Sequence, residues 1–312
     1  MEEIIHVFPS ALRPLCRAGF QRGIEPEEIR LRIGRPVMVL GKGKEYYWNQ
    51  KENNLQNTRD GSYLWQQADM KETLSRMSQY SMYALEEELR SGFFTIQGGH
   101  RIGVTGRTAC EQGKILSFRN ICSLNIRVAR QKKGCASGLV PWLVEQDDIY
   151  NTLILSPPGI GKTTMLRDCI RIISDGAGGI PAKKVAVVDE RSEIAASFFG
   201  IPQNDLGERT DVLDACPKAE GMRLLVRSMS PEVIAVDELG SRKDCKAVEE
   251  VLHCGCRILG TMHAKDVKEL QEKTYLSRWL EKGFFGRFVF LRINPDGQRG
   301  FLVYDERMQK LC

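Results

Sequence analysis

The chain has 312 residues, 42% of them hydrophobic and 27% charged, so it is too apolar for general disorder and long enough for two domains. Its formal net charge of +5 is spread along the sequence in short basic clusters, which indicates a solvated surface rather than a nucleic-acid groove. No apolar run approaches the roughly 20 residues that cross a bilayer, the N-terminus lacks the order of a signal peptide, and the ten scattered cysteines are typical of reduced thiols, so we expect a cytoplasmic protein.

The first part of the chain is predicted to begin with helix, hairpin and helix. Residues 1–23 have a mixed helical pattern, and alternation at strand period predicts a hairpin formed by the runs 28–33 and 37–40. The asparagine-rich stretch 49–60 is predicted as a loop. Apolar residues at helical spacing then predict an amphipathic helix over 70–91.

Further strands complete the sheet of this first part. The dipeptide Gly98-Gly99 separates the runs 93–97 and 101–105 and is a strong hairpin signal. Two more runs with strand character follow, at 115–118 and 124–128. We therefore predict a small α+β domain with antiparallel strands over residues 1–132.

The second part of the chain has the pattern of a parallel sheet that is covered on both faces. The polar, glycine-containing segment 131–138 is predicted as a linker. Short, continuous apolar runs then alternate with helical stretches. These runs span residues 152–155, 185–188, 233–236 and 257–260. The runs 288–293 and 301–304 predict an antiparallel hairpin at the sheet edge, so the fold class of residues 139–312 is α/β with a mainly parallel sheet.

The stretch from Ser156 to Thr164 lies between an apolar strand and a helical segment and predicts a phosphate-binding loop. In such a loop, backbone N–H groups and the helix N-terminus face one oxyanion. Lys162 can reach the β- and γ-phosphates, and Thr163 offers a hydroxyl to Mg²⁺. The pattern has glycine where this chain has Ser156, a small residue that can end a strand, so we expect the loop to form. The predicted nucleotide-binding residues are Pro158, Gly159, Ile160, Gly161, Lys162, Thr163 and Thr164.

Acidic residues follow one of the predicted strands in the form of a Walker B motif, Val233–Glu238. In open α/β sheets, ligands lie at the carboxyl ends of strands. Asp237 would hold Mg²⁺ through water, and Glu238 would polarise the attacking water. Phosphoryl transfer depends on positioning and charge neutralisation, which Lys162, Mg²⁺ and a glutamate would supply.

Two further strand ends leave alternatives open. The run 185–193 carries Glu190 and Glu193, which are either catalytic or part of a solvated acidic turn with Arg191 as internal partner. The strand 258–263 ends in His263, which could sense the γ-phosphate or cap a neighbouring helix. On spacing alone, the capping role is favoured for His263.

Taken together, these motifs resemble the secretion-type ATPases of the RecA-like superfamily, which serve type II and type IV secretion and pilus systems. The similar segments, in chain order, are the Walker A loop at 156–164, the acidic box at 188–193, Walker B at 236–240 and the histidine box at 259–264. Within that superfamily, the long segments 202–221 and 227–231 resemble the stage III sporulation AA family.

The resemblance implies a RecA-like P-loop ATPase core that uses ATP and Mg²⁺, with the site between subunits of a homo-oligomeric, hexameric ring. It implies a peripheral location at the mother-cell face of the forespore membrane, together with membrane-embedded stage III sporulation channel proteins. It also raises His263 to a catalytic candidate as the histidine-box residue. Arginines from the first domain of a neighbouring subunit would approach the γ-phosphate. The candidates are Arg101, Arg107, Arg119 and Arg127.

Three functional hypotheses follow. In the first, a ring-forming ATPase moves its two domains against each other and so drives or gates a membrane channel during endospore formation. In the second, a RecA-like motor acts on nucleic acid, which needs a basic stripe with stacking aromatics; the four tryptophans are dispersed, so no nucleic acid partner is expected. In the third, a nucleotide-bound scaffold organises the channel base without catalysis.

Overall fold

Two compact units make up the chain, Met1–Arg130 and Gln131–Cys312. A computed structural model describes residues 2–13, 17, 24–52, 54–78, 89–90, 92–112, 114–176, 179–273, 276–294 and 297–312. Residues 1, 14–16 and 18–23 of the predicted N-terminal helical stretch lie outside the described residues. So do residues 79–88 and 91 of the helix predicted over 70–91. Among the described helices, none has the length and apolar character needed to cross a bilayer.

The first unit is built on a seven-stranded antiparallel sheet with strand order β4-β3-β2-β1-β7-β6-β5. Its strands are β1 (Glu28–Arg32), β2 (Met38–Gly41), β3 (Lys44–Asn49), β4 (Asn54–Gln56), β5 (Phe93–Ile96), β6 (His100–Glu111) and β7 (Lys114–Arg127). Two of the antiparallel pairs, β1 with β2 and β5 with β6, confirm the two hairpins predicted from alternation and from the Gly-Gly dipeptide.

This sheet differs from the prediction in two places. The stretch predicted as a loop, 49–60, contains β4, which pairs with β3. Asparagine is uncommon in strands, so composition predicts a loop here, but pairing with β3 stabilises a short strand despite the low strand propensity. The run 115–118 and residues 124–127 of the run 124–128 belong to one strand, β7, which follows β6 through three register shifts. Bulges of this kind let a long strand pair bend without ending.

Helices α1 (Glu2–Val7) and α2 (Gln67–Met77) and a 3-10 turn (Ser10–Leu12) contribute to the core of the first unit. Ile29 and Leu31 alternate with more exposed neighbours along β1, so their side chains point into this core. Phe8 and Trp65 meet there edge to face, with ring centroids 5.9 Å apart.

The second unit is built on a seven-stranded, mainly parallel sheet with strand order β12-β11-β13-β14-β10-β15-β16. A small antiparallel pair, β8 (Val144–Glu145) and β9 (Asp148–Ile149), precedes it. The main strands are β10 (Thr152–Leu155), β11 (Val185–Asp189), β12 (Thr210–Asp214), β13 (Val233–Val236), β14 (Arg257–Met262), β15 (Arg287–Ile293) and β16 (Arg299–Tyr304).

Every neighbouring pair in this sheet is parallel except β15 with β16, which are antiparallel. This confirms the predicted α/β class with a hairpin at the sheet edge. The edge strand β12 was not predicted, because three of its five residues, Thr-Asp-Val-Leu-Asp, are polar and the strand is only partly buried.

One hydrophobic core lies on each side of the parallel sheet. The helices are α3 (Lys162–Asp175), α4 (Lys218–Met229), α5 (Arg242–His253), α6 (Val267–Gln271) and α7 (Ser277–Glu281), with a 3-10 helix at Val140–Leu143. Side chains of α3 pack in one core, and side chains of α4 and α5 pack in the other. At Gly221, α4 approaches β11 so closely that a Cβ atom would lie 2.5 Å from Val188 Cγ1. This position therefore requires glycine.

Residues 131–138, predicted as a linker, lie within the second unit and contact α3. Ala136 is fully buried, and its N–H donates to Asp168 Oδ2 at 2.8 Å. The thiol of Cys135 contacts the carbonyl oxygen of Thr164 at 3.7 Å. Small polar residues are common both in linkers and in closely packed turns, so composition alone does not separate the two.

Candidate nucleotide-binding site

The carboxyl ends of four parallel strands meet at one edge of the second sheet. Strands β11, β13, β14 and β10 are neighbours in that order, so the residues that follow them lie close together. Ser156 follows β10, Glu190 follows β11, Asp237 follows β13 and His263 follows β14. The fold thus places four sequence motifs, separated along the chain, at the edge where ligands bind in open α/β sheets.

The loop between β10 and α3 has the backbone that close approach to an anion requires. Gly159 and Gly161 have φ angles of 78° and 112°, in the left-handed region that favours glycine. Ser156 is fully buried, and its hydroxyl donates to the carbonyl oxygen of Pro157 at 2.7 Å. Serine at this glycine position is therefore accommodated. Pro158 at the turn is exposed.

Lys162, the first residue of α3, is buried, with 6% of its surface exposed. Its Nζ atom donates to the carbonyl oxygens of Ser156 at 3.0 Å and Pro157 at 3.2 Å, and lies 3.0 Å from His263 Nδ1. Burial lowers the pKa of Lys162, while the charges of Asp237 and Glu238 oppose that shift. Since an ammonium group only donates, His263 Nδ1 accepts, and the ring proton lies on Nε2.

The two residues predicted to hold Mg²⁺ contact each other. Thr163 Oγ1 donates to Asp237 Oδ2 at 2.6 Å, and the hydroxyl of Thr261 bonds to the other carboxylate oxygen. The N–H of Glu238 contacts both Asp237 Oδ1, at 3.0 Å, and Thr261 Oγ1, at 2.9 Å. Hydroxyl and carboxylate oxygens are the hard ligands that Mg²⁺ takes, so this pair fits the ion.

Glu238 is held in an unusual conformation. Its φ angle is 50°, a left-handed geometry that costs a residue with a side chain on the order of 1–3 kcal/mol. One carboxylate oxygen lies 3.2 Å from His263 Nε2, and the other lies 2.6 Å from Arg191 Nη1. The predicted water-activating group therefore sits between a histidine and an arginine.

Asp189, at the end of β11, is held in place by backbone N–H groups of the residues that follow it. Asp189 is buried; one of its oxygens accepts the N–H of Glu193 at 2.9 Å, and the other accepts those of Ile194 and Ala195 at 2.9 and 2.7 Å. Glu190 forms an ion pair with Lys218. Arg191, the predicted internal partner of this acidic turn, pairs with Glu238. The catalytic or structural role of Glu190 and Glu193 stays a prediction.

The titration of Asp189 gives a pH-dependent contribution to stability. Burial raises the pKa of Asp189 from 3.8 to about 6, against the lowering effect of the three N–H donors. The folded state therefore binds this proton more tightly than the unfolded chain does. The resulting stabilisation is fully present below about pH 4 and is lost as the pH rises to about 6.

We expect the free energy of unfolding to fall more steeply between pH 4 and 6 in the wild type than in Asp189→Asn. Over that range the difference in the fall is about 2 kcal/mol, and urea unfolding at pH 4, 5, 6 and 7, followed by circular dichroism, measures it. Asp211→Asn, on the exposed part of β12, should keep the wild-type slope. Equal slopes in wild type and Asp189→Asn would contradict the raised pKa.

The four arginine candidates lie on β6 and β7 of the first unit. The guanidinium of Arg101 stacks 3.5 Å from the centroid of the Phe93 ring. Arg107 and Arg119 are exposed, and Arg127 lies 3.9 Å from a carboxylate oxygen of Glu28. Their action on a neighbouring subunit stays a prediction.

A cavity of about 360 Å³ opens beside the loop, within the second unit. Gly161 and Thr164 line one side, and Arg299 and Phe301 of β16 line the other. A Cβ atom on Gly161 would lie 3.3 Å from Arg299 Nη1, so glycine leaves room for this guanidinium. The volume is within the range of small-ligand pockets. Sequence reasoning missed Arg299, because it treated the β15–β16 hairpin only as a sheet edge.

Comparison with known proteins gives a family and close relatives. The family described as sporulation stage III, protein AA, matches residues 1–311. Stage III sporulation protein AA of Bacillus subtilis (strain 168) is 44% identical over 292 residues, which are 93% of this chain and 91% of that protein. The uncharacterized protein ycf45 of Cyanidium caldarium is 26% identical over 251 residues, 79% of this chain and 66% of that protein.

Two solved structures share the fold. The pilus retraction motor PilT, solved with bound ADP, has a TM-score of 0.58 at 18% identity, with 94% of this chain and 81% of that chain covered. The ATPase DotB of Legionella pneumophila has a TM-score of 0.57 at 16% identity, with 93% and 78% covered. At these identities the likeness shows the fold alone, which is that of the RecA-like secretion ATPases.

Proposed function

The chain belongs to the sporulation stage III protein AA family, and from that premise we propose that it is a Mg²⁺-dependent ATPase that works as a ring-forming motor on a membrane channel during endospore formation. The observation that carries the proposal is the meeting of three groups at one sheet edge. Lys162 lies in a glycine-containing loop, the Thr163 hydroxyl contacts Asp237, and Glu238 follows directly. A phosphate-binding cation, a set of Mg²⁺ ligands and a carboxylate base are what triphosphate hydrolysis needs.

The triphosphate would lie along the loop from Pro158 to Thr164. Lys162 is buried beside carbonyl oxygens and a histidine nitrogen, all of them weaker partners than a phosphate oxygen. The ribose and base would occupy the cavity beside the loop. Arg299 supplies positive charge there, and Phe301 supplies an apolar wall.

Thr163 and Asp237 would hold Mg²⁺. The ion supplies neutralisation of phosphate charge and a fixed orientation of the phosphate oxygens. The chain's own part is to keep Asp237 in place, which it does through the Thr261 hydroxyl and the N–H of Glu238.

Glu238 is the best placed of the three glutamates to orient and deprotonate water. Glu238 directly follows the aspartate that we propose to hold Mg²⁺, and its carboxylate contacts His263. Glu190 is paired with Lys218, which weakens its case as the base. Glu193 lines the same small acidic pocket as Glu238 and stays the alternative base. His263 connects Lys162 to Glu238, so it can report the state of the phosphate site to the base.

The motor role rests on family membership and fold. We propose a homo-oligomeric, hexameric ring in which Arg101, Arg107, Arg119 or Arg127 of one subunit acts on the nucleotide of the next. The ring would lie at the mother-cell face of the forespore membrane, peripheral to the membrane-embedded stage III sporulation channel proteins.

The experiment that tests the proposal is ATP turnover by the purified full-length protein. We expect turnover that disappears on Mg²⁺ chelation and rises, per subunit, as protein concentration drives assembly. DNA should have no effect on the rate. Stimulation by DNA that falls steeply with salt would instead favour a motor acting on nucleic acid. Absence of both turnover and nucleotide binding would contradict the proposal.

A further inference from the structure

A continuous chain of polar contacts runs through Glu238. Arg191 Nη1 lies 2.6 Å from one carboxylate oxygen, and His263 Nε2 lies 3.2 Å from the other. His263 Nδ1 in turn accepts from Lys162 Nζ at 3.0 Å. The lysine at the phosphate site and Arg191 are thus at opposite ends of one chain, and Glu238 is oriented by its protein partners at both oxygens.

The contact between Arg191 and Glu238 is the accessible end of this chain. The side chain of Arg191 is 61% exposed and that of Glu238 is 30% exposed. Ion pairs with this much solvent contact contribute little net stability, so a competing anion can break them. The pair formed by Lys218 with Glu190 differs, because Lys218 is only 12% exposed. Arg191 and Lys218 both line the acidic pocket around Glu190 and Glu238. Of these two cations, Arg191 is therefore the one that can change partner.

The competing anion would be the terminal phosphate of ATP. Glu238 is placed to activate a water that attacks the γ-phosphate, so Arg191, bound to that carboxylate, is at the γ-phosphate side of the site. A guanidinium presents N–H donors in a fork that fits phosphate oxygens in pairs. ADP has no such phosphate to offer.

We infer that Arg191 is a nucleotide-sensing residue that acts within its own subunit: it pairs with Glu238 in the absence of a triphosphate and with the γ-phosphate when ATP binds. This exchange frees one oxygen of Glu238 for water. The inference rests on the proposed ATPase function and deepens it, because it gives a single subunit a way to distinguish ATP from ADP.

The test is the affinity for two nucleotides, measured by calorimetry with the full-length protein and Mg²⁺. The probes are ADP and a non-hydrolysable ATP analogue. Arg191→Ala is expected to lose about tenfold or more in affinity for the ATP analogue and less than about twofold for ADP. Arg191→Lys keeps the charge but not the fork, so it should regain part of the loss. Arg227→Ala, which removes an exposed arginine of α4, should bind both probes as the wild type does.

Several outcomes would overturn the inference while leaving the ATPase proposal intact. They are an equal loss of affinity for both probes, no loss for either, and a rise in turnover with unchanged affinity for the ATP analogue. The last of these would make Arg191 only a restraint on Glu238. If the wild type binds neither probe, the proposed function fails, and the inference fails with it.

Discussion

Replacing Lys162 with alanine is expected to lower ATP turnover by on the order of 10²–10³-fold and to abolish measurable ATP binding at ordinary concentrations. The reason lies in the burial of this ammonium group. Its three closest acceptors are two carbonyl oxygens and a histidine nitrogen, so a bound phosphate would be its only anionic partner at that position of the loop. Alanine leaves a gap there that water fills without the charge.

The measurement for Lys162→Ala combines calorimetry with turnover assays, and a thermal melt shows that the fold is kept. Lys265→Ala is the matched control, because Lys265 is an exposed lysine two positions after His263. It should bind and hydrolyse ATP as the wild type does. Tight ATP binding by Lys162→Ala would contradict the assignment of the loop.

The same variant tests in cells whether ATP binding is needed. If bound ATP drives or gates a channel, Lys162→Ala should block endospore formation in a strain that carries it as the only copy. Normal sporulation with this variant would contradict both the motor and a scaffold that depends on bound nucleotide, even if the purified wild type turned over ATP. The Lys265→Ala strain controls for expression.

The sequence was sufficient for the parts of the site that are local. Glycines with positive φ, a lysine and a threonine at fixed spacing specify a strand, a loop and a helix, and these are present from Thr152 to Asp175. Asp237 and Glu238 were found as candidates because they directly follow a continuous apolar strand. Both signals lie within about ten neighbouring residues, which is where pattern reasoning is strong.

Contacts that depend on the register of the sheet could not be predicted from the sequence. Thr261 bonds to Asp237 because β13 pairs with β14 so that Val236 is opposite Gly260. Arg191 reaches Glu238 because β11 and β13 are neighbours. A one-residue change of register would remove either contact, and no residue pattern specifies which strands become neighbours.

Replacing Glu238 with glutamine is expected to lower turnover by about 10²–10⁴-fold, the usual contribution of a general base, while ATP binding is retained. Glutamine has nearly the same shape but cannot take up a proton from water. Its amide also has one acceptor oxygen and one donor nitrogen, whereas Arg191 and His263 Nε2 both donate to the present carboxylate. In the nucleotide-free protein, one of these two contacts must therefore be lost, in addition to the loss of basicity.

Single-turnover hydrolysis by Glu238→Gln, Glu190→Gln and Glu193→Gln distinguishes the three glutamates. Because Glu190 is already paired with Lys218, Glu190→Gln should lower the hydrolysis rate much less than Glu238→Gln does. If Glu238→Gln hydrolyses ATP at the wild-type rate, the base must be Glu190 or Glu193, and the variant of the true base will show the large loss. In that case the left-handed backbone at Glu238 would serve to orient Asp237 and its neighbours, since the N–H of Glu238 would still bridge Asp237 and Thr261.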